Sequence, residues 1–392
     1  MKKGMINLGL LVGSGLIFFL AGELVFRIFI PQPIVRYRFS YTRGWEQEPN
    51  ASYQYTKYGE FTVPIRYNSA GLRDREYPLQ KEAGTFRIAL MGDSFTEALQ
   101  VRLEESYAKL LEEELNRGRG DKKYEVINFG VTGYGIDQHL IRLKEQALAY
   151  QPNVVLVALF ANDLEDLVER GFATLEQDHL VFRDLHQDPM KTMTEKFRLF
   201  VRGHSHFLTY LILRTYQIPS LLELSYKLRL VGRWTDGSQG GDTTNPTSET
   251  LERREVLDWF SKADSDKRRY QKEVAAALLK EISHLAQENR AKALTIVFPI
   301  QEQVYEDRYL AFKKKFNMSD EDYDANVQQR LLIEVAHRAG MPVIDPLPDL
   351  RKEAEAGAEL YFRRDQHLTP AGHQVIARVL FRELTAQGFL DP

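Results

Sequence analysis

Residues 87–101 read RIALMGDSFTEALQV. An apolar run of strand length stops at Gly92-Asp93-Ser94, and a helix-forming run follows. A short apolar segment bounded by glycine reads as a buried strand. It leaves a small hydroxyl, Ser94, where the strand ends. That hydroxyl suits a turn or a helix cap. It equally suits a nucleophile, because open α/β sheets gather their working groups beyond the carboxyl ends of the strands.

The chain on either side of this stretch decides the fold class. FRIALM (86–91), YEVINFG (124–130), NVVLVALF (153–160), KALTIVFP (292–299) and MPVID (341–345) are apolar and short. Between them lie amphipathic stretches of helical period, among them LEESYAKLLEEEL, IDQHLIRLKEQALAY, DKRRYQKEVAAALLKEISHLAQENR and DANVQQRLLIEVAHRAG, and AGHQVIARVLFRELTAQ follows the last strand. Such alternation predicts an α/β fold with a parallel sheet and helices on both faces. Residues 81–164 and 266–392 form this domain in the reading. Residues 31–80, with VRYRFSY and EFTVPIRYN, predict a β-rich segment packed on it. Residues 165–265 break the rhythm and read as a helical insertion carrying a mobile loop, TDGSQGGDTTNPTSET (235–250).

Residues 1–30 read as a membrane anchor. Lys2 and Lys3 precede MINLGLLVGSGLIFFLAG (5–22), which carries no charge. As a helix that run spans about 27 Å, close to the hydrocarbon thickness of a bilayer. A cleaved signal would have a shorter apolar core and a clear cleavage site, so an uncleaved anchor is favoured. The positive-inside tendency leaves Lys2 and Lys3 cytoplasmic and the bulk of the chain on the far side of the inner membrane. With 43% hydrophobic residues, 27% charged and net charge −3, the composition gives no reason to expect nucleic acid as a partner. The chain has no cysteine, which excludes disulfides, thiolate metal sites and a cysteine nucleophile.

The strand ends together hold what serine acyl chemistry needs. A hydroxyl needs an imidazole to take its proton, and the imidazole needs a group that fixes its tautomer. The developing oxyanion needs donors aimed at it. Ser94, His367 and Asp365 can supply the first set. The N–H of Ser94, the N–H of Gly133 and the side-chain amide of Asn162 can supply the second. Asp93 and Asp163 flank the site and read as hydrogen-bond acceptors. His373 falls inside the last helix, away from the strand ends, and His204-Ser205-His206 reads as a structural pair.

Four blocks in order give the sequence its resemblance to a known family. GDSFTE (92–97), NFGVTGYG (128–135), FAND (160–163) and DQHLTPAG (365–372) resemble the four motif blocks of the SGNH, or GDSL-type, hydrolases. YNSAGLRDREYP (67–78) is similar to the segment before the nucleophile in membrane-anchored members. The resemblance implies a three-layer α/β/α sandwich around a five-stranded parallel sheet of flavodoxin-like type. It implies ester-linked acyl groups as substrate and no metal or other cofactor. Family spacing from Asn128 puts the oxyanion glycine at Gly133. Two positions depart from the pattern. Ala161 stands where many members have glycine, and only Gln366 separates Asp365 from His367. Asp365 or a backbone carbonyl can therefore hold the imidazole. The short spacing is similar to periplasmic members acting on polysaccharide acyl groups, O-acetyltransferases included. The expectation is a serine esterase acting on a cell-envelope glycan or lipid ester, anchored in the inner membrane. An O-acyltransferase working with envelope polysaccharide machinery is the alternative, as is a non-catalytic carbohydrate-binding or assembly subunit.

Overall fold

A computed structural model describes residues 2–117, 122–169, 171–177, 179–187, 189–215, 218 and 257–390. Helix α1 (Lys2–Phe29) leads into two antiparallel pairs, β1 (Tyr37–Ser40) with β2 (Gly44–Gln47), and β3 (Ser52–Lys57) with β4 (Phe61–Arg66). The central domain then runs β5 (Thr85–Met91), α2 (Ser94–Glu97), α3 (Tyr107–Asn116), β6 (Lys123–Asn128), α4 (Ile136–Glu145), β7 (Val154–Leu159) and α5 (Asp163–Glu169). A short hairpin of β8 (Ala173–Glu176) and β9 (His179–Phe182) follows, then α6 (Pro189–His204) and α7 (His206–Thr215). The chain returns through α8 (Asp266–Glu288), β10 (Lys292–Val297), α9 (Gln301–Val304), α10 (Glu306–Phe316), α11 (Val327–Arg338), β11 (Val343–Ile344), α12 (Leu347–Glu355) and α13 (Pro370–Ala386).

Strands β11-β10-β7-β5-β6 form one five-stranded sheet, in that order, and every pairing is parallel. Helices cover both faces, because successive strand residues point to opposite sides. Phe86, Ile88 and Leu90 of β5 pack with α3, α12 and α13, whereas Ala89 and Met91 pack with α4, α8 and α11. All seven residues of β5 are buried, as a central strand of a three-layer α/β/α sandwich requires. Arg87 and Glu125, in register on β5 and β6 and both about fully buried, pair at 2.8 Å. Breaking such a pair strands a charge, so it penalises slippage of this pairing.

The β-rich segment packs along the carboxyl edge of the sheet: Val63, Ile65 and Tyr67 join Leu99, and Trp45 joins Val131 and Tyr134. The insertion is not purely helical. Its β8–β9 hairpin turns at Gln177, which takes φ 48°. Four-residue strands give too little alternation to stand out from a helical pattern. The loop 235–250 lies outside the described residues. Helix α1 is long and apolar enough to cross a membrane, and none of its apolar window is buried in protein.

Candidate active site

Ser94 opens α2, a single helical turn directly beyond β5. Asp93 caps it by accepting a hydrogen bond from the Phe95 amide at 2.9 Å. Ala98 ends it in the left-handed region, at φ 57°. The buried Arg73 guanidinium then donates to the carbonyls of Glu97 and Ala98 at the end of that turn and to the Val101 carbonyl beyond it. Phe95, Thr96 and Glu97 are buried, and Ser94 is the member of the turn that remains half-exposed. Sequence and capping thus place one hydroxyl at the rim.

The partner residues come from the turn before α13. The Phe362 amide donates to the His367 carbonyl at 2.8 Å, and the Gln366 amide donates to the Phe362 carbonyl at 3.0 Å. Gln366 sits at φ 70°, a left-handed conformation that folds its two neighbours toward one another. The single intervening residue therefore suffices to bring acid and imidazole together. His367 Nδ1 lies 2.7 Å from Asp365 Oδ1 and 3.2 Å from the Asp365 backbone carbonyl. Both are acceptors, so Nδ1 carries the proton and Nε2 is left bare. Ser94 Oγ donates to that Nε2 at 2.7 Å, across 273 positions of sequence.

Burial pushes the Asp365 carboxyl up. His367 beside it, the Lys57 ammonium 3.6 Å from its other oxygen and the Gln100 side chain outweigh that, and hold it below the ordinary carboxylate range. Asp365 is therefore the charged form that can stabilise an imidazolium.

The second block packs straight onto the turn that carries Ser94. Asn128 donates from its amide to the Thr96 carbonyl at 2.7 Å and accepts from the Gly130 amide at 2.9 Å. A Cβ on Gly130 would stand 2.5 Å from the Glu97 nitrogen, so only glycine permits this approach. Gly133 takes φ 79°, which favours glycine again. Asn162 gives its Nδ2 to Asp166 at 2.8 Å, and its buried Oδ1 has no partner among the described residues. An amide has two N–H bonds, so one remains after the Asp166 contact.

Asp93 and Asp163 are both fully buried at the ends of β5 and β7. Burial pushes Asp93 up to about 6. Burial, then the neighbouring Asp93 charge, pushes Asp163 well above the carboxylate range. Asp163 accepts from the Phe160 amide at 2.7 Å. His373 is buried, accepts from the Tyr107 amide at 3.2 Å and is pushed down to about 3 by burial, so it stays neutral and away from Ser94. His206 accepts from the Gln32 amide and His204 bonds the Phe200 carbonyl. Among the described residues no group of His, Asp or Glu is placed to hold a metal ion.

Three contributors escape sequence reasoning. Glu97 is buried and accepts from Tyr37, Gln47, Tyr67 and both polar groups of Thr132. Lys57 and Gln100 reach Asp365. All three act over long range, and no local spacing announces them. Aromatic rings line the rim: Phe95 lies 4.8 Å from the His367 ring and 4.3 Å from Phe160, which meets Trp259 edge-on.

Residues 257–391, which hold Asp365 and His367, match the family described as SGNH hydrolase-like domain, acetyltransferase AlgX. Over these residues the chain resembles an SGNH hydrolase-like domain. No curated protein matches the sequence. Solved structures that resemble it include LAE5, an alpha/beta hydrolase from the metagenome of Lake Arreo, Spain, at 14% identity over 78% of this chain and 97% of that one, with TM-score 0.40. TesA resembles it at 12% identity over 76% and 98% of the two chains, with TM-score 0.38. A catalytic mutant of Axe2, an acetylxylan esterase from Geobacillus stearothermophilus, does so at 13% over 76% and 94%, also at 0.38.

Proposed function

We propose that this chain is a membrane-anchored serine esterase or acyltransferase that works through an acyl-enzyme. Ser94 Oγ attacks the ester carbonyl carbon while His367 Nε2 takes its proton. The amides of Ser94 and Gly133 and the Asn162 side chain receive the oxyanion, and each such donor is worth roughly a hundred- to a thousandfold in rate. Asp365 keeps the proton on Nδ1 and balances the imidazolium; losing that function in comparable triads costs about 10⁴-fold. The tetrahedral intermediate collapses, the alkoxide leaves with the proton from Nε2, and the acyl group stays on Ser94. Water or a sugar hydroxyl then attacks the acyl carbon, with His367 again as base, and Ser94 is restored.

The observation that carries the reading is the continuous relay Asp365–His367–Ser94, with both contacts at 2.7 Å. Helix α1 supports placement of the catalytic domain on the extracytoplasmic face, where a cell-envelope glycan or lipid ester is at hand. The match to an acetyltransferase domain favours acetyl as the acyl group and keeps transfer beside hydrolysis. Turnover of p-nitrophenyl acetate against longer p-nitrophenyl esters, each with and without an acetyl-accepting glycan, tests this. Faster turnover of acetyl than of longer esters is the expected result; absence of ester turnover under every condition would sink it.

A further inference from the structure

Helix α6 shows two apolar sides where one is needed. Its inner side places Leu199 in a cluster with Trp45, Val131 and Phe172, and Thr192 donates to the Leu185 carbonyl at 3.1 Å. On the opposite side Met193, Phe197 and Phe200 follow one another at helical spacing, and each is 60–63% exposed. Single exposed apolar residues are ordinary, but a stripe of three large ones marks a surface meant to be covered.

The place of that stripe says what covers it. The Phe200 ring stacks on the His204 imidazole at 4.5 Å. The His204 carbonyl accepts from Arg27, in the last turn of α1, at 2.9 Å. One residue on, Glu23 of α1 accepts from the Ser205 hydroxyl and from the His206 and Phe207 amides, which caps α7. Phe207 then packs among Phe18, Phe19 and Phe26, so closely that a Cβ on Gly22 would stand 3.2 Å from its ring. The α6–α7 joint is thus bolted to the end of α1 where the charged Glu23–Arg27 pair must meet the membrane surface. Among the described residues, nothing buries the apolar window of α1.

We infer that α6 is an interfacial helix whose Met193, Phe197 and Phe200 enter the headgroup–acyl boundary of the bilayer that α1 crosses. The inference rests on the anchored reading above. The remaining chemistry agrees with an anionic lipid surface: α6 carries Lys196, Arg198 and Arg202 against one acid, Glu195, which pairs with Arg198. Aromatic and basic side chains on an amphipathic helix are the combination that lies in that boundary. Two contacts, one along α1 and one along α6, fix the orientation of the domain on the membrane where α1 alone would leave it free to swing. Through Leu199 and Val131 the platform also abuts the loop that carries Gly133.

The test uses the full chain in liposomes containing anionic lipid, with tryptophan as depth reporter and the unsubstituted chain as background. Phe18→Trp reports on the span and Phe197→Trp on the platform. Lipids brominated near the glycerol should quench Phe197→Trp roughly twofold more than the unsubstituted chain, a depth that matches interfacial insertion. Lipids brominated deep in the chain should quench Phe18→Trp. Quenching of Phe18→Trp without quenching of Phe197→Trp overturns the platform and leaves the anchor standing. Blue-shifted, unquenched emission from Phe197→Trp that depends on protein concentration would assign the stripe to a second copy and overturn it as well. Failure of both reporters to respond would remove the anchor, and the platform with it.

Discussion

The Glu97 carboxylate accepts hydrogen bonds from both the amide and the hydroxyl of Thr132, each at 2.7 Å. A group in the turn that carries Ser94 thereby holds the loop that presents Gly133, the next residue. The same carboxylate accepts from Tyr67 at 2.9 Å, from Gln47 at 3.2 Å and from Tyr37 at 2.5 Å. The β-rich segment is therefore wired into the site through one fully buried side chain. Residues 31–80 thus pack into the turn that carries Ser94 rather than hanging from it as a spacer.

Replacing Glu97 with glutamine puts an N–H where only acceptors fit. Leaving buried donors unmatched costs on the order of 1–3 kcal/mol each. Glu97→Gln should lower the melting temperature and, by releasing Thr132, cut kcat for p-nitrophenyl acetate more than it raises KM. Thermal denaturation beside steady-state kinetics checks both; an unchanged kcat in a folded variant would show that the Gly133 loop does not depend on Glu97.

Lys57 faces Asp365 at 3.6 Å from a partly exposed position. Its positive charge is one of the influences that lower the Asp365 carboxyl. In Lys57→Met that carboxyl moves up, so it gains its proton at a higher pH. The loss of kcat/KM that follows protonation of Asp365 should begin at a higher pH than in the unsubstituted chain. A profile identical to that of the unsubstituted chain would mean that His367 and Gln100 hold the acid alone.

Asp93 carries a stability signature of definite sign. Its ordinary value is 3.8 and the folded chain raises it to about 6, through burial first. The folded state therefore favours the protonated form, and this contribution is present at low pH and lost as pH rises from about 4 through about 6. Asp93→Asn keeps an acceptor for the Phe95 amide but cannot titrate. Its melting temperature relative to the parent should climb between pH 4 and pH 6; a constant difference across that range would refute a raised Asp93.

The sheet was readable because strand and helix periods differ and each strand is a short apolar run between breakers. FRIALM became β5 with every residue buried. MPVID contributed only Val343 and Ile344 to the edge strand, since an edge is paired on one side and ends early. The β8–β9 hairpin went unread for want of length. At the site, the blocks named Ser94, Asp365 and His367, which the structure brings together, but sequence left open what holds the imidazole. That answer lies in the left-handed backbone of Gln366, a conformation that glutamine does not advertise. Glu97 stood inside a quoted block, yet its donors come from residues 37, 47, 67 and 132, and only tertiary structure brings them together.

The relay from Asp365 to Ser94 is tested most directly by covalent capture. A fluorophosphonate should phosphonylate the full chain at one site, with peptide mass analysis finding the adduct on Ser94. His367→Ala should slow labelling by roughly three to four orders of magnitude, the scale on which a triad base acts. Equal labelling of the parent, Ser94→Ala and His367→Ala, or an adduct on another residue, would contradict the account.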